Sequence, residues 1–380
     1  MISNQKRLFN IPDDVTYLNC AYMGPQLKSV SEVGKISITK KEHPWDITMP
    51  DFYEPPEKLK SLYAKIVNAD KNSIALIPSV SYGIETAVKN IQINKGANIV
   101  VLAEQFPSNI YSWIEVVKRT EAQLITIERP VDKDWTSVII STINNKTDVV
   151  ALPQAHWTDG SFIDLVQVRH RCDEVNAALV VDATQSVGAC PFDVQKIKPD
   201  FLISAAYKWL LGPYSITYMY VDPKYHTGKP LEFGWMSRKG SEDFSGLVNY
   251  TDELQEGASR FDVGEKSNFA LVPMAINALE QILDWGVENI YSTLSKFTSY
   301  AEEEATKLGL SVTPIPKRAG HLMGLRFSSG VPNNLIQKLK CEKISVSVRG
   351  SSIRVAPHLY NDKSDFDHLF EVIKYQIKNE

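Results

Sequence analysis

The strongest constraint on the fold is an alternation of short apolar runs with segments of helical periodicity. Six runs have the length and the uninterrupted apolar character of buried strands. They span residues 73–78, 97–104, 148–155, 178–184, 200–206 and 216–222. Strands that alternate with helices imply a layered α/β domain with a largely parallel sheet.

Two of the intervening segments carry a clear helical stripe. In each, apolar residues recur at intervals of three and four, which places them on one face of a helix. The stripes are Ile84, Ala87, Val88 and Ile91, and Leu165, Val168, Cys172 and Val175. These segments are therefore predicted to be helices packed on the sheet.

The pattern changes after about residue 260. A long helical stretch, 271–309, leads to short strands within 321–328 and 343–357 and then to a final helix. This order favours a smaller C-terminal α+β domain. We place the boundary near Asp262, so that the large domain spans 21–261 and the small domain 262–380. Residues 1–20 are expected to form a segment that lines the active site.

Composition excludes several classes of partner. The chain of 380 residues has 41 basic and 45 acidic side chains, and its net charge of −4 gives no reason to expect nucleic acid or an anionic membrane. None of the four cysteines stands in a C-x-x-C pair, so neither a metal site nor a disulfide framework is indicated. No apolar run has the length of a signal peptide core or a membrane span. We expect a soluble cytoplasmic protein.

Candidate ligand-binding residues stand directly after the strands, because open α/β sheets bind ligands beyond the carboxyl ends of their strands. Ser79, Val80 and Ser81 open a helix, where backbone N–H groups and hydroxyls suit a phosphate, although an ordinary N-cap is the alternative. Phe106 either covers a planar ligand or packs under a loop. His156 and Trp157 follow the third run, where a lone histidine is more often structural.

Two charged residues stand after apolar strands and need an explanation. Asp182 ends "VVD", and a carboxylate there requires a donor or a cation. Lys208, in "SAAYKWLLGP", is costly to bury unless it is paired or deprotonated. Together with a phosphate-binding helix start, they match what pyridoxal phosphate requires. No G-x-G-x-x-G, Walker A or H-E-x-x-H segment competes with this interpretation.

The chain resembles the aminotransferase class V family of fold-type I pyridoxal phosphate enzymes, which includes cysteine desulfurases, kynureninases and isopenicillin-N-epimerase-like proteins. The similar segments are "YLNCAYMGP", "DATQSVGACPFDV", "SAAYKWLLGP", "RFDVGEKSNFALVPMAINALEQI" and "IRVAPHLYN". The resemblance implies a mostly parallel seven-stranded sheet between helices, a small C-terminal domain, and a homodimer with active sites at the subunit interface.

The resemblance also implies roles for individual residues around pyridoxal 5'-phosphate. Lys208 would form the Schiff base, Asp182 would bind the pyridinium nitrogen, and Gln185 would bind the phenolic oxygen. His156, or with less support Trp157, would approach that same edge.

At the other end of the cofactor, Tyr207 would donate to the phosphate. Ser79, the Val80 N–H and Ser81 would supply the remaining phosphate contacts, and Phe106 would occupy the place of the residue over the ring.

For the substrate, the resemblance assigns Arg354 to the α-carboxylate, since a guanidinium fork binds a carboxylate in a bidentate way that lysine does not reproduce. A purely structural arginine is the alternative. Asn19 and Tyr22 would line the site from the N-terminal segment. The segment 264–268, ending at Asn268, resembles the part that family dimers present to the cofactor of the neighbouring subunit.

The family shares a first stage, in which an amino acid forms an external aldimine with the cofactor, and diverges afterwards. Transamination is the favoured outcome, because it needs no residue beyond this set. A kynureninase-like or β-eliminating C–C or C–S lyase is the second candidate, and a non-catalytic protein of the same fold is the third. Cysteine desulfurase activity is disfavoured, because "VSVRGSSIRVAP" lacks a cysteine and Cys341 stands in a different element.

Overall fold

The structure is a computed structural model that describes residues 1–132 and 134–378. Its strands are β1 (Thr16–Tyr17), β2 (Ile74–Ile77), β3 (Asn98–Leu102), β4 (Gln123–Ile127), β5 (Thr147–Pro153), β6 (Ala178–Asp182), β7 (Phe201–Ala205), β8 (Thr217–Val221), β9 (Met323–Arg326), β10 (Ile344–Ser345), β11 (Ser347–Arg349) and β12 (Ser352–Val355).

The α-helices are α1 (Lys28–Thr39), α2 (Met49–Val67), α3 (Val80–Asn90), α4 (Tyr111–Thr120), α5 (Trp135–Thr142), α6 (Leu165–Val175), α7 (Val194–Ile197), α8 (Leu271–Trp285), α9 (Val287–Lys307), α10 (Leu335–Cys341) and α11 (Lys363–Lys378). No helix among the described residues has the length and apolar character needed to cross a bilayer.

A seven-stranded sheet forms the centre of the molecule, in the order β2-β8-β7-β6-β5-β3-β4. Strand β8 runs antiparallel to both of its neighbours, whereas the β3, β4, β5, β6 and β7 ladders are parallel. All six predicted strands are confirmed. The seventh, β4, was not predicted from the residues.

Both faces of the sheet are covered, which explains why its strands are apolar without interruption. Val100 and Leu102 of β3 pack in the core cluster on one face, whereas Ile99 and Val101 pack in the cluster on the other. Successive side chains of a strand point to opposite faces, so a sheet covered twice needs apolar residues at every position. The predicted stripes of α3 and α6 face these two clusters.

The C-terminal part contains an antiparallel sheet in the order β11-β12-β9, packed against α9, α10 and α11. The predicted long helix is in fact two, α8 and α9, because Gly286 between them has a φ of 75°. Such a backbone favours glycine and ends the first helix. Leu279 of α8 packs in a cluster of the central sheet and Ala301 of α9 in the small-sheet cluster. The boundary near Asp262 stays a prediction.

The N-terminal segment connects the small domain to the strand ends of the large one. Thr16 pairs with Ile344, so that β1 lies parallel to β10. Further along, the Gly24 N–H donates to the Tyr207 carbonyl at 2.9 Å. A Cβ atom at Gly24 would lie 2.2 Å from the Lys208 carbonyl oxygen, so a side chain has no room there. The segment therefore packs directly on the lysine that the sequence singles out.

Candidate active site

A cavity of about 190 Å³ opens at the edge of the central sheet where the parallel strands end. It is lined by residues that follow β2, β3, β5, β6 and β7 and by residues that precede the antiparallel β8. Eight of the predicted cofactor residues meet here. They are Ser79, Val80, Ser81, Phe106, Asp182, Gln185, Tyr207 and Lys208.

Lys208 is the reactive group that the cavity offers. Its side chain is buried, and its Nζ lies 5.2 Å from the centroid of the Phe106 ring. Burial lowers the pKa of Lys208 to about 8; the negative charge of Asp182 opposes this change, and the positive charges of Arg354 and Arg349 reinforce it. An amine with this pKa has a far larger neutral, nucleophilic fraction near physiological pH than an ordinary lysine.

Asp182 lies buried at the carboxyl end of β6. Its Oδ1 accepts a hydrogen bond from the Thr184 N–H at 3.1 Å. Burial raises the pKa of the Asp182 carboxyl, whereas the hydrogen bonds from Thr184 and the positive charge of Lys208 act in the opposite direction. A carboxylate buried without a full ion pair is suited to a cationic N–H group brought by a ligand.

The first turn of α3 forms the polar end of the cavity. Ser79 is the N-cap, and its Oγ accepts from the Tyr82 N–H at 3.2 Å and lies 3.0 Å from the Ser81 Oγ. Val80 is the first residue of the helix. Free backbone N–H groups, two hydroxyls and the positive end of the helix dipole together suit a phosphate. Ser79 is thus the N-cap of α3, and the same residue belongs to the group that suits a phosphate.

The Gln185 side chain is held on two sides. Its Nε2 donates to the Ala21 carbonyl at 3.0 Å, and its Oε1 accepts from the Trp209 Nε1–H at 3.0 Å. In addition, the His321 Nε2–H donates to the Gln185 main-chain carbonyl at 2.6 Å. Trp209 and His321 were not predicted as parts of the site; they act on it through Gln185.

His156 does not reach the cavity. It is fully buried and stacked on Trp135, with ring centroids 5.5 Å apart, and its Nδ1 lies 2.8 Å from the Thr158 Oγ1. Burial lowers its pKa to about 4, so the ring is neutral. The structure instead places Trp157 in the cavity lining, 5.4 Å from Phe106 between ring centroids. Of the two residues, the less favoured one faces the site.

Asn109 is a cavity residue that the sequence interpretation missed. Its side chain is completely buried, and neither its Nδ2 nor its Oδ1 has a hydrogen-bond partner among the described residues. An unpaired buried amide costs about 1–3 kcal/mol, which a ligand that supplies the partner would recover. The signal was present, since Asn109 belongs to "FPSN" with Phe106.

Arg354 presents one free edge of its guanidinium. Its Nη1 donates to the Trp157 carbonyl at 3.0 Å, while its Nε and Nη2 are buried without a partner among the described residues. Burial, reinforced by Arg349, lowers the pKa of Arg354 to about 9. An unpaired Nε–Nη2 edge has the geometry that a carboxylate fills with two parallel hydrogen bonds.

The other two predicted substrate residues lie in the N-terminal segment. Asn19 is buried, and its Oδ1 accepts from the Ser347 Oγ at 2.9 Å, which ties the segment to β11. Tyr22 has 57% of its surface exposed. Neither of them is part of the cavity lining itself, and Arg354 is not part of it either.

Asn268 lies away from the cavity of its own chain. It precedes α8, and its Oδ1 accepts from the N–H of Leu271, the first residue of that helix, at 2.9 Å. It also lines a separate surface hollow together with Trp235 and Gly264. Its predicted role at the cofactor of a neighbouring subunit stays a prediction.

The residues of the cavity fit pyridoxal phosphate. A buried carboxylate and a lysine of low pKa stand at adjacent strand ends, a helix N-terminus supplies phosphate donors, and an unpaired amide faces the same space. Within 1–132 and 134–378, no group of three or more His, Cys, Asp or Glu side chains could hold a metal ion.

Comparison with known proteins agrees with this chemistry. The sequence model of the family described as aminotransferase class-V matches residues 49–364. The uncharacterized aminotransferase YcbU of Bacillus subtilis is 24% identical over 84% of this chain and 83% of its own length. The kynureninase of Shouchella clausii is 24% identical over 93% of this chain and 84% of its own length.

Solved structures confirm the fold. The apo cysteine desulfurase of Thermococcus onnurineus superposes with a TM-score of 0.87 at 18% identity, over 100% of both chains. A mutant of C-DES, with glycine covalently linked to its pyridoxal phosphate, superposes with a TM-score of 0.86 at 18% identity, over 97% of this chain and 98% of its own. The chain belongs to the aminotransferase class V family of pyridoxal-phosphate-dependent enzymes.

Proposed function

We propose that the chain is an aminotransferase that acts on an amino acid in the cytoplasm. When bound, pyridoxal phosphate supplies an electron-withdrawing ring that stabilises negative charge at the Cα of the substrate. Lys208 would hold it covalently, Asp182 would keep the ring nitrogen protonated, and the N-terminus of α3 with Ser79 and Ser81 would bind the phosphate.

The chain's own residues then position the substrate and move one proton. The Nε–Nη2 edge of Arg354 binds the α-carboxylate, which fixes the amino acid relative to Lys208. The Lys208 amine would take the Cα proton, because its pKa is lowered to about 8, near the ambient pH. The rings of Phe106 and Trp157 form the aromatic side of this part of the cavity.

One observation carries the choice of transamination. Among the residues that line the cavity, Lys208 is the single basic side chain, and no cysteine or histidine is among them. Lys208 would therefore be the one carrier of the proton taken from Cα, and transamination is an outcome that needs no second acid or base. Buried Cys20 is not among the lining residues; its Sγ lies 3.8 Å from the Lys208 carbonyl oxygen, and burial raises the pKa of its thiol to about 12.

A lyase reaction of the kynureninase type is the second candidate. Phe106 and Trp157 form two aromatic walls at right angles, and Tyr207 packs against Tyr214 in the same cavity. Such walls suit an aryl substituent on the substrate.

Product analysis separates the two reactions. The holoenzyme is incubated with a panel of amino acids without a second substrate. Transamination yields one equivalent of 2-oxo acid for each site and converts the cofactor to pyridoxamine phosphate. Release of ammonia or alanine over many turnovers with unchanged cofactor would establish the lyase and refute the transaminase. Lys208→Ala is the control that should yield neither product.

The active unit that we propose is a homodimer. Several large apolar side chains of 233–250 are exposed: Phe233, Trp235, Phe244, Val248 and Tyr250, the last at 98%. A cluster of this kind is typical of a surface that meets a partner. Asn268 lines a hollow together with Trp235, which belongs to this surface. If a second copy binds here, Asn268 of the first copy would lie near the active site of the second.

A mixing experiment tests the assignment of Asn268 to the partner's site. The variants Lys208→Ala and Asn268→Ala are each impaired as homodimers. If Asn268 acts across the interface, a mixed dimer contains one intact site and regains activity. If Asn268 acts within its own chain, no mixed dimer contains an intact site and activity stays low. A monomer with full activity in light scattering would refute the dimer altogether.

A further inference from the structure

A second arginine, Arg349, stands beside Arg354, and both contact the cavity-wall residue Trp157. Arg349 ends β11, and in the register of this hairpin it lies opposite Ser352, while Arg354 lies opposite Ser347. Residues paired in this way point to the same face of a sheet. Both guanidinium groups are therefore on one face.

Both arginines are held by a residue of the cavity wall, Trp157. The Arg354 Nη1 donates to the Trp157 carbonyl, and the guanidinium carbon of Arg349 lies 4.9 Å from the centroid of the Trp157 ring. Stacking on an aromatic face orients a guanidinium without neutralising its charge. Both cations therefore contact a residue of the cavity wall, although neither arginine is itself among the lining residues.

Neither cation has an acidic partner within the described part of the chain. No carboxylate of those residues lies within ion-pair distance of Arg349 or Arg354. Arg349 donates from its Nη1 to the Val348 carbonyl at 2.7 Å, but its buried Nε has no acceptor among the described residues. Their charge reaches the reactive amine, because both arginines contribute to the lowered pKa of Lys208.

One carboxylate accounts for only one of these cations. The free edge of Arg354 consists of adjacent Nε and Nη2, which together match the two oxygens of a single α-carboxylate. The Arg349 guanidinium is then left without an anion. We propose that Arg349 selects a substrate whose side chain carries a second acidic group, that is, an amino acid of the aspartate or glutamate type. This inference rests on the proposed function of the site.

The alternative is that both arginines share the α-carboxylate. In that case Arg349 would strengthen the binding of every amino acid to the same degree. Acidic amino acids and their amides separate the two cases, because asparagine and glutamine match aspartate and glutamate in shape and lack the charge.

The test is a titration of the holoenzyme with aspartate, glutamate, asparagine and glutamine. Binding is monitored through the absorption spectrum of the bound cofactor. We expect the Kd of the preferred acid to be lower than that of its amide by about tenfold or more. In Arg349→Gln this ratio should fall to near one, and in Arg349→Lys, which keeps the charge, most of the ratio should remain.

Arg326→Gln is the matched control. Arg326 lies on β9 opposite Ser352, so it is on the same sheet and the same face as Arg349, but it lines a different cavity with Arg129 and Asp159. The acid-to-amide ratio should survive this change. With the unmodified enzyme, a higher salt concentration should weaken the binding of the acids more than the binding of the amides. This tests the role of charge without any substitution.

The outcomes separate this inference from the proposed function. The role of Arg349 would be overturned if Arg349→Gln weakened the binding of acids and amides equally, or if the unmodified enzyme showed no preference for acids. Either result would leave the aminotransferase proposal intact. If no amino acid in a broad panel changes the spectrum of the holoenzyme, the proposed function itself fails.

Discussion

The indole Nε1–H of Trp209 donates to the Oε1 of Gln185 at 3.0 Å, and this bond decides which way the glutamine amide faces. An indole N–H is a donor only, so it must meet the oxygen of the amide. The Nε2 then points to the Ala21 carbonyl with one hydrogen and keeps the second for a ligand. Trp209 is thus a positioning residue for the group expected at the phenolic oxygen of the cofactor.

Trp209→Phe should shift the pH at which the bound cofactor changes its absorption. Without the indole donor, the amide can turn and present its oxygen to the phenolic oxygen, which disfavours the ionised form and raises the pKa of the cofactor chromophore. A spectrophotometric pH titration of the holoenzyme measures this pKa.

Trp285→Phe is the control for the loss of ring volume. Trp285 is buried in the same core cluster as Trp209 and contacts His358 rather than Gln185. Both variants should lose about 1–3 kcal/mol of unfolding free energy through lost packing. Only Trp209→Phe should move the titration; an identical curve for both would show that the hydrogen bond has no such role.

Attachment of the cofactor to apo-protein should depend on pH through Lys208. Because only the neutral amine attacks the aldehyde, and the pKa of Lys208 is lowered to about 8, the rate constant should rise up to about pH 8 and then level off. A lysine with the ordinary pKa of 10.5 would keep accelerating beyond that point. Stopped-flow absorbance of apo-protein mixed with pyridoxal phosphate gives the profile, and Lys208→Ala should give no covalent phase.

The same pKa predicts a stability trend in the apo-protein. The folded-state pKa of Lys208 lies below that of the unfolded chain, so the unfolded state binds more protons between the two values. The contribution of Lys208 to stability should therefore grow as the pH rises above about 8. Urea unfolding of Lys208→Met, compared with the unmodified apo-protein across this range, isolates the effect.

Arg354→Lys should weaken the binding of amino acids in general, although it keeps the positive charge. Lysine cannot offer two parallel donors, so the bidentate contact with the α-carboxylate is lost. We expect the Kd to rise by about tenfold to a hundredfold, that is, by about 1.4–2.8 kcal/mol. Spectral titration measures it. An amine without a carboxylate, such as ethylamine, should bind equally to both proteins. A Kd for ethylamine that differed between the variant and the unmodified protein would contradict the assignment.

Asp262→Asn should destabilise the large domain strongly. The Asp262 Oδ2 lies 2.7 Å from the Lys60 Nζ and 2.8 Å from the Lys266 Nζ, and both lysines are buried. Burial alone would raise the pKa of Asp262, but the two lysines hold it below its usual value. Removing the carboxylate leaves buried Lys266 without this partner and buried Lys60 with only the partly exposed Glu57, 3.2 Å away, at a cost of about 3–5 kcal/mol.

Urea unfolding measures this cost, and Lys266→Met is the comparison. It leaves Lys60 and Asp262 as a balanced pair and should cost less than Asp262→Asn. Because the folded-state pKa of Asp262 is depressed, its contribution is complete above the unfolded-state pKa and is lost as the pH falls through the folded-state value. Equal stability of Asp262→Asn and the unmodified protein would exclude this role.

The sequence predicted the strands of the sheet interior better than its edge. The six predicted strands are apolar throughout because helices cover both of their faces. The edge strand β4, "QLITI", is partly exposed and has a polar residue at its start, so its pattern did not stand out from a loop. The break between α8 and α9 depends on the backbone of Gly286, and an isolated glycine within a helical pattern does not reveal its φ angle.

In the site, the sequence located the two charged residues, because a charge at the end of an apolar run needs an explanation whatever the exact turn. Asp182 is the last residue of β6, and Lys208 lies three residues after β7. His156 and Trp157 are neighbours in a turn, and which of them faces the cavity depends on Trp135, which takes His156 into the core. Trp209 and His321 act through hydrogen bonds formed only in the folded chain.

The pairing of β1 with β10 has a consequence for biosynthesis. Gly24 packs on Lys208, and the segment leading to it is anchored by Thr16 on Ile344 and by Asn19 on Ala356. On the ribosome, the segment with Thr16 emerges early, and its partners are translated much later. The wall of the lysine site therefore cannot close on a nascent chain that lacks Ile344 and Ala356. Stable uptake of the cofactor becomes a late event, reserved for polypeptides whose translation has already passed the small sheet.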